Sequence, residues 1–228
     1  IPMSKPRTAN PALAISEADV ASALAQIGTE VDDQPLRSSA LARIMRETFH
    51  GSDAGGAWDW RMAYNLMQAA AVQVLLRGDG AAGDIADARL LASRLLTETR
   101  RSEQQIRLQQ FSTPLPFAAL AVQAAAIRKG ETVLEPSAGT GALAAFAARA
   151  GATLLLNEID PFRQRLLRAL FGGEVTGHDG EHIDDLLQTP VLPDVVVMNP
   201  PFEKNADIAH VRHAYDLLKP GGRLVGIM

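Results

Sequence analysis

The chain has 228 residues, of which 47% are hydrophobic and 21% charged, an ordinary balance for a globular protein of one large domain or one and a half. A formal net charge of −4 argues against a broad basic surface for nucleic acid, so any such contact must be local. There is no cysteine, which excludes disulfides and thiolate metal sites; no apolar run reaches the roughly 18 residues of a membrane span, no apolar signal core opens the chain, and the cytoplasm is the default location.

Residues 1–15 are polar and Pro-containing and read as a flexible arm. Ser16-Glu17-Ala18-Asp19 has the form of a capping box, and an apolar-periodic segment follows to Ile27, where Gly28 is expected to stop the helix. Residues 31–35 read as an acidic turn. Residues 36–49 repeat the helical spacing through Leu41, Ile44 and Met45. A loop over 52–56 leads to a long, strongly apolar helix over 58–77, stopped by Gly78. Asp84 suits the cap of a further helix carrying Ile85, Ala88, Leu91, Leu95 and Leu96 toward Gln110. Residues 16–110 therefore read as an all-helical amino-terminal domain, with Trp58, Trp60 and Tyr64 in its core rather than as a base-stacking platform.

Residues 111–228 change character and read as a second domain. Short apolar strands are expected at 132–134, 153–157, 174–176, 195–198 and 223–228. Helices are expected at 143–150, at 162–171 behind Pro161, and at 208–218, stopped by Pro220-Gly221-Gly222. Strands alternating with helices predict βαβ units, right-handed crossovers and a parallel sheet. Ligands of such sheets bind at the carboxyl ends of the strands.

The chemistry-bearing residues fall at those ends. Glu135-Pro136-Ser137-Ala138-Gly139-Thr140-Gly141 follows the first strand and opens a helix. A Gly-rich turn there admits a close ligand, but Glu135 at the strand tip would repel a pyrophosphate and suits a cationic ligand. Glu158, directly after the second strand, is placed to accept hydrogen bonds from ribose hydroxyls; Ile159 could lie against a purine, and Asp160 suits the helix cap. Asp179 follows the third strand. The fourth ends in Asn199-Pro200-Pro201-Phe202. Two prolines cannot continue a ladder. The Asn199 amide oxygen and the Pro200 carbonyl can each accept one N–H of an amine, and Phe202 can stack on a base. His178 and His182 lack a third metal ligand and read as surface histidines; His210 and His213, on the helix after Phe202, read as solvated, with Lys204 and His210 within reach of a phosphate.

Asn199-Pro200-Pro201-Phe202 resembles motif IV of S-adenosylmethionine-dependent methyltransferases that act on an exocyclic amine, above all adenine N6. Glu135 to Gly141 resembles their motif I. Phe111-Ser112-Thr113-Pro114, ahead of it, resembles motif X of the gamma arrangement, in which motif X comes first, then motif I, then motif IV. Gly56-Ala57-Trp58-Asp59-Trp60-Arg61-Met62-Ala63-Tyr64 and Thr99-Arg100-Arg101-Ser102-Glu103, with Gln109 to Pro114, are similar to the amino-terminal part of bacterial Strawberry notch-like methylase/helicase proteins. Together the similarities cover most of residues 50–228.

The resemblance implies a Rossmann-like class I methyltransferase sheet of order 3-2-1-4-5 and S-adenosylmethionine as cofactor. It implies cofactor contacts from Phe111, Ser112, Thr113, Pro114, Glu135, Pro136, Ser137, Ala138, Gly139, Thr140 and Gly141, and from Glu158, Ile159, Asp179 and Asn199. Asn199, Pro200, Pro201 and Phe202 would be catalytic, and Phe202 and Lys204 would touch substrate. The expected partners are nucleic acid, DNA before RNA, and a linked helicase, with no membrane and no metal. That fold carries further strands after the fifth, so a remainder beyond Met228 is expected. The alternatives are methylation of RNA, methylation of a protein glutamine amide, which uses a similar motif usually with Tyr in place of Phe202, and a non-catalytic methyltransferase-like module that binds nucleic acid.

Overall fold

The computed structural model describes residues 15–78, 85–97, 112–178, 192–200 and 206–228. Helix α1 spans Glu17–Asp33, α2 Ser38–Thr48, α3 Trp60–Arg77 and α4 Ile85–Arg94. Helix α5, Leu115–Ala125, leads into strand β1, Thr132–Glu135, followed by α6, Ala142–Arg149, and β2, Thr153–Asn157. Then come α7, Pro161–Phe171, β3, Val175–Thr176, β4, Val195–Met198, α8, Ala206–Asp216, and β5, Arg223–Gly226. The five strands form one parallel sheet of order β3-β2-β1-β4-β5, as the alternation predicts.

The capping box forms: Asp19 N–H donates to Ser16 Oγ at 3.1 Å, and Ser16 N–H donates back to Asp19 Oδ2 at 3.2 Å. Gly28, expected as a stop, instead lies buried inside α1, which continues through the predicted turn to Asp33. The reason is packing: Gly28 faces α3, within 4 Å of where the Ala70 carbonyl and Val74 would meet an added Cβ. A buried helix–helix crossing thus overrides a weak local preference. Helix α4 ends at Arg94, well short of the expected extension toward Gln110; Asp84 and residues 98–111 lie outside the described residues.

Helix α3 is the centre of the molecule. Asp59 caps it, accepting from Met62 N–H at 2.7 Å. It packs on α1 and α2 on one side and on α6 and α7 on the other, and eleven of its residues are buried. A helix apolar nearly all round belongs inside a protein. Trp58 and Tyr64 are buried in the core as expected, with Trp60 edge-on to Trp58 at 5.6 Å between ring centres. One apolar cluster runs from Val20, Leu24 and Ile27 in α1 through Leu66 and Met67 in α3 to Leu143 and Phe146 in α6 and Val195 in β4.

Helix α5 has no counterpart in the sequence reading. Its stretch Leu-Pro-Phe-Ala-Ala-Leu-Ala-Val-Gln-Ala-Ala is almost uniformly apolar, so no helical period stands out. On the other face of the sheet, Val211 and Ala214 of α8 and Leu217 just after it pack against Leu134, Val196 and Met198. His210, one turn before Ala214, is carried inward and is buried, 6% exposed, rather than solvated as expected.

Below the sheet, Asp194 fixes register. Its carboxylate accepts from Thr132 N–H and from Lys219 Nζ, both at 2.8 Å, while its backbone bonds β1 and β5. The strand tips at the opposite end are thereby aligned.

Candidate active site

The tips of β2, β1 and β4 lie side by side in the sheet. Each ends in a polar residue: Glu158 after β2, Glu135 closing β1, Asn199 after β4. Three residues that the sequence assigns to the site are thus adjacent.

Glu135 is 3% exposed. Its carboxylate accepts the N–H of Ala144 in the first turn of α6, where unbonded amides and the helix dipole favour an anion. Burial lifts this carboxyl well above the ordinary carboxylate range; the Ala144 bond opposes the rise and the Glu158 charge adds to it. Its Oε2 is buried with no hydrogen-bond partner among the described residues. A buried acceptor left open in this way suits a cationic donor from a ligand.

Glu158 is also buried, at 5% exposure. Its Oε2 accepts from Gly139 N–H at 2.7 Å and its Oε1 from Asp160 N–H at 2.8 Å. Burial raises its pKa, and Arg163 leads the groups that offset the rise. One acid therefore ties the Gly-rich turn to the β2–α7 turn, with a lone pair on each oxygen left for a ligand. Ile159 beside it is 51% exposed and offers an apolar wall. Asp160 caps α7 as expected, accepting from Phe162 and Arg163 N–H at 3.0 Å each.

In the turn between β1 and α6, Gly139 and Gly141 have φ of +57° and +90°. Ala138 N–H donates to the Asn157 carbonyl at 2.8 Å, and Gly141 N–H to the Ala138 carbonyl at 2.8 Å. Pro136, Ala138 and Thr140 are buried and Ser137 is half-buried.

Asn199 is oriented by the segment ahead of α5: its Nδ2 donates to Thr113 Oγ1 at 3.0 Å. Its Oδ1 is buried and has no hydrogen-bond partner among the described residues. Pro200 is buried beside it, and Pro114 precedes the first residue of α5. Ser112 donates to Gln68 Oε1. Phe111, Asp179, Pro201, Phe202 and Lys204 lie outside the described residues.

Two residues that the sequence reading passed over organise these tips. Asn157, 2% exposed, donates from Nδ2 to the Pro136 carbonyl at 2.9 Å and the His178 carbonyl at 3.0 Å. Its Oδ1 accepts from Thr176 Oγ1 and His178 N–H, both at 2.9 Å. It staples β1, β2 and β3 at the level of the site. An amide closing the apolar run Leu154-Leu155-Leu156 is the signal that could have found it. The other is Gln68 of α3, whose Oε1 also accepts from Thr140 Oγ1 at 3.3 Å.

A cavity of about 350 Å³ opens beside this polar ring, between α3, the end of α4 and the start of α5, lined by Met67, Val72, Leu95, Leu96, Thr113 and Leu115 among others. Among the described residues no group of three or more His, Cys, Asp or Glu side chains is placed to hold a metal ion, and no helix is long and apolar enough to cross a membrane.

The parallel order β3-β2-β1-β4-β5 with a Gly-rich turn after β1 is a Rossmann-like fold. Among solved structures, a candidate RNA methyltransferase of Pyrococcus horikoshii is similar over 59% of this chain and 68% of its own, at 24% identity and a TM-score of 0.48. TrmN of Thermus thermophilus is similar over 55% of this chain and 42% of its own, at 23% identity and a TM-score of 0.43. The carboxyl-terminal domain of precorrin-6Y C5,15-methyltransferase of Rhodobacter capsulatus is similar over 50% of this chain and 62% of its own, at 23% identity and a TM-score of 0.40. No protein-family model matches the chain, and no curated protein matches it.

Proposed function

We propose that this chain transfers a methyl group from S-adenosylmethionine to the exocyclic N6 amine of adenine in nucleic acid, DNA in preference to RNA. The observation that carries the proposal is Asn199 Oδ1: a buried acceptor without a partner among the described residues, at a strand tip, with the rest of its amide held by Thr113. An adenine amino nitrogen is a poor nucleophile because its lone pair is delocalised into the ring. Accepting one N–H at Asn199 Oδ1 and the other at the Pro200 carbonyl would draw the nitrogen toward tetrahedral geometry and localise that pair. The interaction strengthens as the nitrogen pyramidalises, so it favours the transition state over the ground state.

The residues fit the cofactor. Glu135 Oε2 is an open acceptor whose ionised form a cationic end would favour, Glu158 keeps lone pairs for its ribose, and exposed Ile159 offers a face for its adenine. Held there, the cofactor would supply an electrophilic methyl on a sulfonium to the amine that Asn199 and Pro200 orient, and the amine would give up its proton to solvent. Catalysis by this chain is then orientation and electrostatics. Phe202 would stack on the base, and a base within a duplex would first have to flip out, at about a few kcal/mol. A linked helicase, as in the proteins the sequence resembles, would deliver unpaired strands.

The test offers labelled cofactor to DNA, RNA and protein pools and searches the products for N6-methyladenine by mass spectrometry. Wild-type protein should mark adenine, and Asn199→Ala should lower turnover by about 10²–10³-fold with cofactor affinity nearly unchanged. Label on glutamine side chains, or wild-type turnover in Asn199→Ala, would remove the reading.

A further inference from the structure

We propose that Gln68, on the helical half of the molecule, is a positioning residue that sets the Gly-rich turn and the Ser112–Thr113 segment for cofactor and substrate. The inference rests on the methyltransferase reading for what those segments do, but its geometry is independent of it. Gln68 Oε1 accepts two hydroxyl protons, one from Thr140 in the turn between β1 and α6, the other from Ser112. A carboxamide oxygen has two lone pairs, and both are used here. Ser112 is bonded in sequence to Thr113, which holds the Asn199 amide at 3.0 Å. One acceptor on α3 therefore joins the turn carrying the proposed cofactor contacts to the segment that orients the proposed catalytic amide.

Gln68 is not an isolated polar residue on an apolar helix. Arg61, Asn65 and Gln68 are spaced i, i+4 and i+7, which puts them on one stripe of α3. Arg61 pairs with Asp160, the cap of α7. Asn65 Oδ1 accepts from Arg163 Nε at 3.2 Å, and both residues are 3% exposed. Most of the apolar residues of α3 are buried. Polar side chains there are unfavourable unless bonded. Each of the three is bonded to the β2–α7 turn, to α7, or to the two segments flanking the proposed site. The stripe thus registers α3 against every loop that faces a ligand from β1 and β2. Gln68 touches no reacting atom in this scheme; it acts through Thr140 and Ser112.

Amide hydrogen exchange in ligand-free protein tests the geometry. Gly139 N–H is bonded to Glu158 and Gly141 N–H to Ala138, so both report on the turn. Gln68→Leu should speed exchange at residues 139–141 selectively, and Gln68→Glu, which keeps an acceptor oxygen at the same reach, should restore protection. In calorimetry with S-adenosylhomocysteine, Gln68→Leu should weaken binding roughly tenfold, the worth of one to two hydrogen bonds, and Gln68→Glu should recover most of it. Unchanged exchange at 139–141 in a folded Gln68→Leu protein, or acceleration spread evenly over the chain, would overturn the proposal. Should Gln68→Leu fail to fold, the Ser112→Ala/Thr140→Val double variant removes the same two bonds from the other side and is read the same way. Absence of S-adenosylhomocysteine binding in the wild type would remove the methyltransferase reading, while the exchange result would still decide the role of Gln68.

Discussion

Glu135 is a carboxyl that the fold holds out of water, and its titration follows from that. Burial raises its pKa in the folded protein, and Glu158 shifts the same way. Between the ordinary carboxylate value of about 4.3 and the raised value, the folded state binds protons that the unfolded chain has released. Stability contributed by the neutral form is therefore fully present below the unfolded pKa and lost as pH rises through the folded one. Urea midpoints should fall from about pH 4 upward, and Glu135→Gln, which cannot ionise, should flatten that fall and be the more stable protein at its upper end. Its affinity for a cationic cofactor should drop at the same time. An identical pH profile in the two proteins would show that Glu135 titrates normally. Glu135, Glu158 and Asn199 were legible in the sequence because each directly follows or closes a short apolar run, which fixes it at a strand tip. Gln68 was not, because its partners lie 44 and 72 residues away and only the docking of α3 brings them together.

Two glycines show how element-level rules depend on packing. Gly28 sits in mid-helix, and an added Cβ would meet Gln73 Oε1 at 3.6 Å and Val74 Cγ2 at 3.7 Å, both ordinary contacts. Gly28→Ala should therefore recover helix propensity without a clash and stabilise by about 0.5–1 kcal/mol. Gly141 is the opposite case: at φ +90° an added Cβ would lie 2.8 Å from Phe171 Cε2 and 3.1 Å from Leu167 Cδ2. Gly141→Ala should cost about 2–4 kcal/mol from left-handed strain and overpacking together, and the two melting temperatures should move in opposite directions. A lower melting temperature for Gly28→Ala would mean that α1 and α3 cannot spread even slightly. The sequence misplaced the end of α1 because a glycine reads locally as a stop, whereas the contact with α3 that removes the choice is long-range. It missed α5 for a different reason: the exposed face carries Phe117 and Leu120, as apolar as the residues it buries, so the segment shows little amphipathic period. The strands were plain because each is a short apolar run between turn residues, and their alternation with helices dictates parallel pairing.

At the scale of the whole molecule, composition divides the chain near residue 111, yet the folded protein shares one core across that point. Leu143, Phe146 and Ala147 of α6 and Phe162 and Leu166 of α7 belong to the same buried cluster as Leu66 and Met67 of α3. Uncovering the four large side chains would forfeit about 1.5–3 kcal/mol each if fully exposed, and half of that total, about 3–6 kcal/mol, already reaches the lower end of the 5–15 kcal/mol that holds a typical domain together. Arg163, Asp160 and Thr140 would lose Asn65, Arg61 and Gln68 in the same step. Residues 112–228 expressed alone should consequently lack a cooperative thermal transition and bind a hydrophobic dye. Adding residues 15–97 as a separate polypeptide should restore the transition, since α3 would bring both its apolar surface and its polar stripe. A sharp transition in 112–228 alone, near the melting temperature of the intact chain, would show that α3 contributes little to the sheet half. In that event the bonds from Gln68 would adjust a site that already stands by itself; otherwise the helix and the strand tips form together, and the proposed site exists only once α3 has docked.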